Sequence, residues 1–317
     1  MAITFTTGTI NAANAGAVGL AMAEKIRDDV VAHIAWELVE EYTPASSLVT
    51  WYVFRCLAAQ SGLPSDFYVV MGRTIGSGEL RVAICEGYNS STHVMSFYGI
   101  KYAGGANQPY DSSGRRSNTY TLTTAVIPAA APNPAYHVWI PSGVSTKWWI
   151  TVDNDGFSVA FNGASNEFFH VGAYISLTPI TNNLPLTSYG SQSSGSATHG
   201  FVTRNPALAS LTAKDSGLNV LGYNADLGFA GPLNYNDKLH LDMRPVAELG
   251  MTMYQPAGVS DTELVGGIIG KQKRMRAGRT GTSPAGFAFG DAYVLQGRLW
   301  VPYLPTNNFL WDTGVSV

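Results

Sequence analysis

The residues best placed to do chemistry are Asp153-Asn154-Asp155-Gly156, because carboxylate and amide oxygens clustered before a glycine are how a calcium loop begins. A helix-loop-helix calcium site needs oxygen ligands at its first, third and fifth positions, glycine at the sixth and glutamate at the twelfth. With Gly156 sixth, Asp155 and Asp153 fall at the fifth and third positions. Thr151 then stands first and Asn162 twelfth, so two charged ligands are missing. The flanks point elsewhere. Trp148, Ile150 and Val152 alternate with Trp149, Thr151 and Asp153, and Phe157, Val159 and Phe161 alternate after Gly156. Period two on both sides of an Asp-Gly turn signal is a β-hairpin pattern, so the stretch is expected to be architecture rather than a metal site.

The remaining chemistry is sparse. None of His33, His93, His137, His170, His199 and His240 stands two or four residues from another histidine or a cysteine, so no zinc pattern exists. His240 and Asp242 would share one strand face, with no third ligand in view. There is no Gly-x-Ser-x-Gly elbow, no phosphate-cradling loop and no dinucleotide fingerprint, and no cofactor is expected. Glu79, Glu86, Asp153 and Asp155 are candidates for a glycosidase-like carboxylate pair, though each also reads as a strand end or turn residue. The one concentrated charge feature is Lys271, Lys273, Arg274, Arg276 and Arg279. On a strand, Lys271 and Lys273 would share a face with Met275, and Arg274 and Arg276 the other. This reads as a projecting basic loop or edge strand and a candidate interface, guarding an edge, meeting an acidic neighbouring subunit or touching nucleic acid.

These residues must be positioned by elements of mostly β character. Ala15 to about Ile34 reads as a helix, with Leu20, Ala23, Ile26, Val30 and Ile34 on one face and Glu24, Arg27 and Asp28 on another. Such a helix usually docks on its own domain. The stretches AWELVEEYT, TWYVFRCLA, DFYVVMGRT, ELRVAICEGY, HVMSFYGIKY, NTYTLTTAVI and NEFFHVGAYISLTP follow as strand candidates. Pro44 to Ser47, Gly76-Ser77-Gly78 and Asn89-Ser90-Ser91 punctuate them as turns. The expectation is a mainly β chain: an N-terminal segment and helix over 1–34, an antiparallel β-sandwich or barrel over 35–180, a Ser/Gly-rich linker or exposed loop over 181–200, and a second, smaller β-rich domain over 201–317. In the last part, Gln296-Gly297 is a plausible turn between DAYVLQG and RLWVPYLP.

Composition narrows the classes. The 317 residues hold enough apolar content for a large core, but only 13% are charged, while 11% are aromatic and 34 are glycine. Few charges and many aromatics suggest a chain that hides surface against partners. A net charge of −3 argues against a protein dominated by nucleic-acid contacts. No basic segment precedes the first apolar stretch and no run of 18 or more apolar residues occurs, so neither a signal peptide nor a membrane span is expected. Cys56 and Cys85 could form one bridge, but they read as two buried free thiols.

In its element order the chain resembles structural proteins of tailed-phage virions. The stretches that carry the resemblance are TGTINAANAGAVGLAMAEKI, AWELVEEYT with WYVFRC, DFYVVMGRT with ELRVAICEGYN, and the WWITVDNDGFSVAF hairpin, over about residues 1–178. The resemblance implies a non-enzymatic virion protein of tail, neck or baseplate, partnered by copies of itself and other virion proteins. Two rivals belong to other classes. One is a β-sandwich that binds a host receptor or glycan through Tyr98, Tyr102, Tyr110 and Tyr120 around the loop 103–118. The other is a virion-associated hydrolase using clustered carboxylates.

Overall fold

A computed structural model describes residues 3–98, 101–102, 117–123, 135–139, 141, 143–162, 166–173, 175–176, 186–191, 198–202, 212–213, 250–255, 267–277, 293–295, 297–304 and 309–317. β1 (Thr4–Asn11) leads into α1 (Ala15–Val31), followed by β2 (Trp36–Tyr42), β3 (Val49–Cys56), the short α2 (Ala58–Ser61), β4 (Phe67–Thr74) and β5 (Leu80–Cys85). Next come β6 (Gly87–Asn89), β7 (Val94–Tyr98), β8 (Lys101–Tyr102), β9 (Ser117–Thr121) and β10 (Ala135–Trp139). The hairpin of β11 (Ser145–Asp153) and β12 (Gly156–Asn162) precedes β13 (Asn166–Ala173), β14 (Ile175–Ser176), β15 (Leu186–Ser191) and β16 (Thr198–Val202). The last third contributes β17 (Thr212–Ala213), β18 (Gly250–Gln255), β19 (Gly267–Ala277), β20 (Tyr293–Leu295), β21 (Arg298–Leu304) and β22 (Phe309–Ser316).

The chain is mainly β, with antiparallel sheets and an N-terminal helix. One sheet runs β1-β11-β12-β13-β15-β16 and a second runs β10-β5-β4-β3-β2. A small sheet, β6-β7-β9, and a sheet built on β14-β19-β22-β21-β20 complete the larger pairings, and among the described residues only the two-residue β8–β17 pair is parallel.

Strand β3 shows why the central strands of the second sheet are mostly apolar. Its alternate residues Tyr52, Phe54 and Cys56 enter one buried cluster, while Val49, Trp51 and Val53 enter another on the opposite face. A strand buried on both faces loses its polar alternation. The first cluster joins both large sheets and α1, with Trp36, Phe54 and Phe67 meeting Phe157 and Phe169 across the interior. Phe157 is its hub, edge-on to Trp36 at 5.4 Å, to Phe54 at 6.0 Å and to Phe169 at 6.1 Å between ring centroids. Each such pair adds about 0.5–1.5 kcal/mol beyond its burial. The second cluster packs Met95 and Leu122 from the β6-β7-β9 side onto the outer face of the second sheet.

Helix α1 starts at Asn14, whose side chain accepts from Ala17 N–H at 2.9 Å. It buries Gly16, Val18, Gly19, Met22, Ala23, Ile26 and Val30 against its own domain, as expected of Ala23, Ile26 and Val30. Leu20 is only half-buried, and Ile34, beyond the helix end, is 71% exposed. The buried face is rotated slightly from the expected one, because Gly16 and Gly19 also approach the turn at 75–78 closely.

Several boundaries differ from the sequence reading. The N-terminal segment forms β1, which pairs along its length with β11 from Thr4 opposite Val152 to Asn11 opposite Ser145. The stretch expected to be a linker carries β15 and the start of β16, which extend the first sheet, and Leu186 is fully buried in the main core. Serine and glycine in a strand are permitted where ladder hydrogen bonds come from both neighbours. Strand β14 pairs with β19, so a segment before that stretch is built into the sheet of the last third.

The 148–163 hairpin forms, but its two loop residues are Asn154 and Asp155, and Gly156 already pairs with Asp153. Its tip is tied to the rest of the fold through the backbone. Trp36 Nε1 donates to Asp153 O at 2.8 Å, Cys56 Sγ to Asn154 O at 3.2 Å, and Asn154 Nδ2 to Gln60 O at 3.0 Å. The Tyr293–Leu295 and Arg298–Leu304 strands form the second expected hairpin, with Gly297 at φ 71°, a conformation glycine adopts without steric cost.

Candidate functional site

The site lies on β2, an edge strand of the second sheet. Its register with β3 shifts between Leu38 and Glu40, so that Val39 and Glu40 both lie against Val53. A bulge changes which face later residues occupy. Glu40 and Tyr42 are thereby placed on the face that carries Val53 and Trp51, while Glu41 lies opposite Tyr52 and reaches Arg27 of α1 at 3.0 Å. Without the extra residue, Glu40 would face the helix.

Glu40 meets two groups from the small sheet. Its Oε1 accepts from Tyr88 OH and contacts His93 Nδ1 at 3.0 Å, and the phenol oxygen lies 3.3 Å from the same nitrogen. The His93 ring stacks flat on Tyr42, with centroids 3.7 Å apart and planes 6° from parallel. His93 adopts φ 53°, uncommon for a residue with a side chain, and its carbonyl accepts from Leu122 N–H at 2.8 Å. An ionised carboxylate only accepts, so a neutral His93 carries its proton on Nδ1 and leaves Nε2 as the acceptor. This is the orienting half of a catalytic triad. Among the described residues no serine, threonine or cysteine is hydrogen-bonded to Nε2, so no nucleophile completes it.

Beside this cluster runs an open groove of roughly 400 Å³ lined by Glu37, Leu38, Val39, Arg55, Tyr68, Tyr88 and Ser90. Cross-strand pairing sets Glu37, Arg55 and Tyr68 in one row across β2, β3 and β4. Arg55 is locked there: Nε and Nη2 donate to Asp66 Oδ2 at 2.8 and 2.5 Å, and Nη1 donates to Glu37 Oε1 at 2.9 Å. Burial by itself would raise the Asp66 carboxyl, but the Ala58 N–H and the Arg55 guanidinium outweigh it and hold Asp66 below its ordinary value. The Asp66 and Glu37 carboxylates, through their hydrogen bonds to the guanidinium, raise Arg55 further against the opposing effect of burial. Tyr68 is pushed up by burial.

The residues singled out from sequence are mostly elsewhere. Tyr120 lies on β9 opposite Met95 and packs, partly buried, on the second core cluster, so it is not an exposed loop aromatic. Tyr98 ends β7 opposite Ser117 and Tyr102 lies on β8, while Tyr110 is outside the described residues. Of the basic cluster, Lys271 and Arg276 have ladder partners on both sides: Lys271 faces Ile175 and Thr252, and Arg276 faces Gly250 and Leu310. Strand β19 is thus internal to its sheet rather than an edge strand. Among the described residues Lys273 and Arg274 have no ladder partner, and Arg279 lies outside the described residues, as do His240 and Asp242. Glu79 pairs with Arg81 at 2.5 Å, and Asp153 and Asp155 are buried at the hairpin tip. Among the described residues no group of three or more His, Cys, Asp or Glu is arranged to hold a metal.

The cysteines are both free. Cys56 faces the first core cluster and Cys85 the second, on opposite sides of the sheet and with β4 between their strands, so no bridge can span them. A serine–histidine pair that spacing could not reveal does occur: Ser158 Oγ and His170 Nδ1 are 2.8 Å apart as cross-strand partners on β12 and β13. Both are buried, so this pair gives a substrate no access. No protein-family model matches the chain, and no curated protein is significantly similar to it.

Proposed function

We propose that this chain is a non-enzymatic structural subunit of a tailed-phage virion, present in multiple copies in the tail, neck or baseplate. In this reading the two large sheets and α1 form a β-sandwich body, and residues 201–317 form a second, smaller β-rich module. The observation that carries the proposal is an apolar rim around the N-terminus of α1. Leu48 is 67% exposed and Val144 55%, with Ile75 half-exposed between the helix and Leu48. Backbone contacts bring them to that end of the helix as two pairs: Ile75 N–H donates to Leu48 O at 2.6 Å, and Ala12 N–H donates to Val144 O at 2.8 Å, two residues before the helix cap. Exposed apolar side chains that cluster are candidates for burial against a neighbour, and subunits of a closed ring bury such surface in repeated contacts. The low charge content supports the same reading.

Light scattering over a concentration series, followed by negative-stain imaging, tests it. Rings or defined oligomers are expected, and a Leu48→Arg/Val144→Arg variant should shift them towards monomer. A wild-type protein that stays monomeric at every concentration, alone and with its neighbouring virion proteins, would overturn the proposal.

A further inference from the structure

We propose that the groove beside β2 is a binding site for a neutral saccharide, a role separate from assembly and independent of it. The groove volume of roughly 400 Å³ lies within the range of about 300–1,000 Å³ usual for small-molecule sites. Its wall has the polarity that hydroxyl groups need. A guanidinium has five N–H donors and Arg55 spends three on Asp66 and Glu37, so two remain on a residue that lines the groove together with Glu37. Donor and acceptor are thus side by side, and the ion pairs fix them before any ligand arrives. A vicinal diol, which both donates and accepts, is the complementary group. Preorganisation of this kind lowers the cost of binding.

Charge selects a neutral ligand. One guanidinium is outnumbered by the two carboxylates paired with it, Glu37 and Asp66, so an anionic sugar or phosphate would meet net negative charge. Tyr68 and Tyr88, both packed partly buried on the second core cluster, complete the lining with ring centroids 6.1 Å apart and planes tilted by 49°. An extended peptide is a poorer occupant. Strand addition needs a regular edge, and the bulge at Val39 and Glu40 interrupts the β2 edge beside the groove.

The test uses the full-length protein on an array of neutral hexose and N-acetylhexosamine oligosaccharides alongside sialylated and uronic-acid ones, with titration calorimetry on whatever is retained. Ser90→Trp fills the groove from an exposed turn, and Thr92→Trp places the same bulk on that turn outside the lining. Neutral glycans should be retained, Ser90→Trp should weaken binding at least tenfold with an unchanged melting temperature, and Thr92→Trp should bind like the parent. Retention of no glycan, retention of acidic glycans alone, equal binding by Ser90→Trp, or competition by extended peptides from a random library would each overturn the assignment.

Discussion

Replacing Gly19 with alanine should destabilise the protein, although the same change in an exposed helix would stabilise it. Gly19 lies in the first half of α1, where the helix meets the turn between β4 and β5. A Cβ on Gly19 would stand 2.2 Å from Gly78 O, 2.3 Å from its Cα and 2.6 Å from its carbonyl carbon. Carbon atoms pack best at about 3.5–4.0 Å, so the helix or the turn must move by roughly 1 Å or more. The turn resists: Gly78 is fixed at φ 70° and its amide donates to Thr74 O at 2.8 Å. Alanine gains about 1 kcal/mol in helix propensity. Overpacking costs about 1–3 kcal/mol, and an obstacle made of backbone belongs at the upper end. The net loss is about 2 kcal/mol, which for a protein of this size lowers the melting temperature by about 3 °C. Urea unfolding and calorimetry of wild type, Gly19→Ala and Gly76→Ala would measure it. Gly76 has no atom within 4 Å of its would-be Cβ and serves as the neutral control. A Gly19→Ala protein as stable as wild type would refute the helix–turn contact.

Three further outcomes are expected. Trp36→Phe keeps most of the ring but deletes the donor to Asp153 O, so urea unfolding should show a loss of about 1–3 kcal/mol, and an unchanged midpoint would contradict that buried hydrogen bond. The folded-state pKa of Asp66 is depressed, so its contribution to stability is present above the ordinary value of 3.8 and is lost as pH falls through the lower folded value. Asp66→Asn should therefore melt below wild type at neutral pH, and the gap should close in acid below 3.8; a gap that widened there would reverse the sign of the argument. Burial pushes the Cys85 thiol far up and Cys56 is fully enclosed, so a thiol-specific reagent should label neither in the native protein and both in denaturant.

The sequence alone determined what depends on neighbours along the chain. Short apolar, aromatic-rich runs between turn residues marked β2 to β5, period-two alternation marked the β11–β12 hairpin, and 3.6-residue periodicity marked α1, because side-chain direction follows local backbone geometry. It also ruled out the common zinc and phosphate motifs. What it did not contain was anything set by distance in space. Thr-rich β1 and Ser/Gly-rich β15 became strands only because β11 and β13 offered them ladders. The same dependence placed Tyr120 in a core and made β19 internal to its sheet. Glu40, Tyr88 and His93 are separated by up to 53 residues, and a single bulge decides that Glu40 faces the other two. Among the described residues the groove beside them is bounded by the outer face of β2, β3 and β4 and by Tyr88 and Ser90. That arrangement is fixed by packing of whole layers, and no local pattern in the chain encodes it.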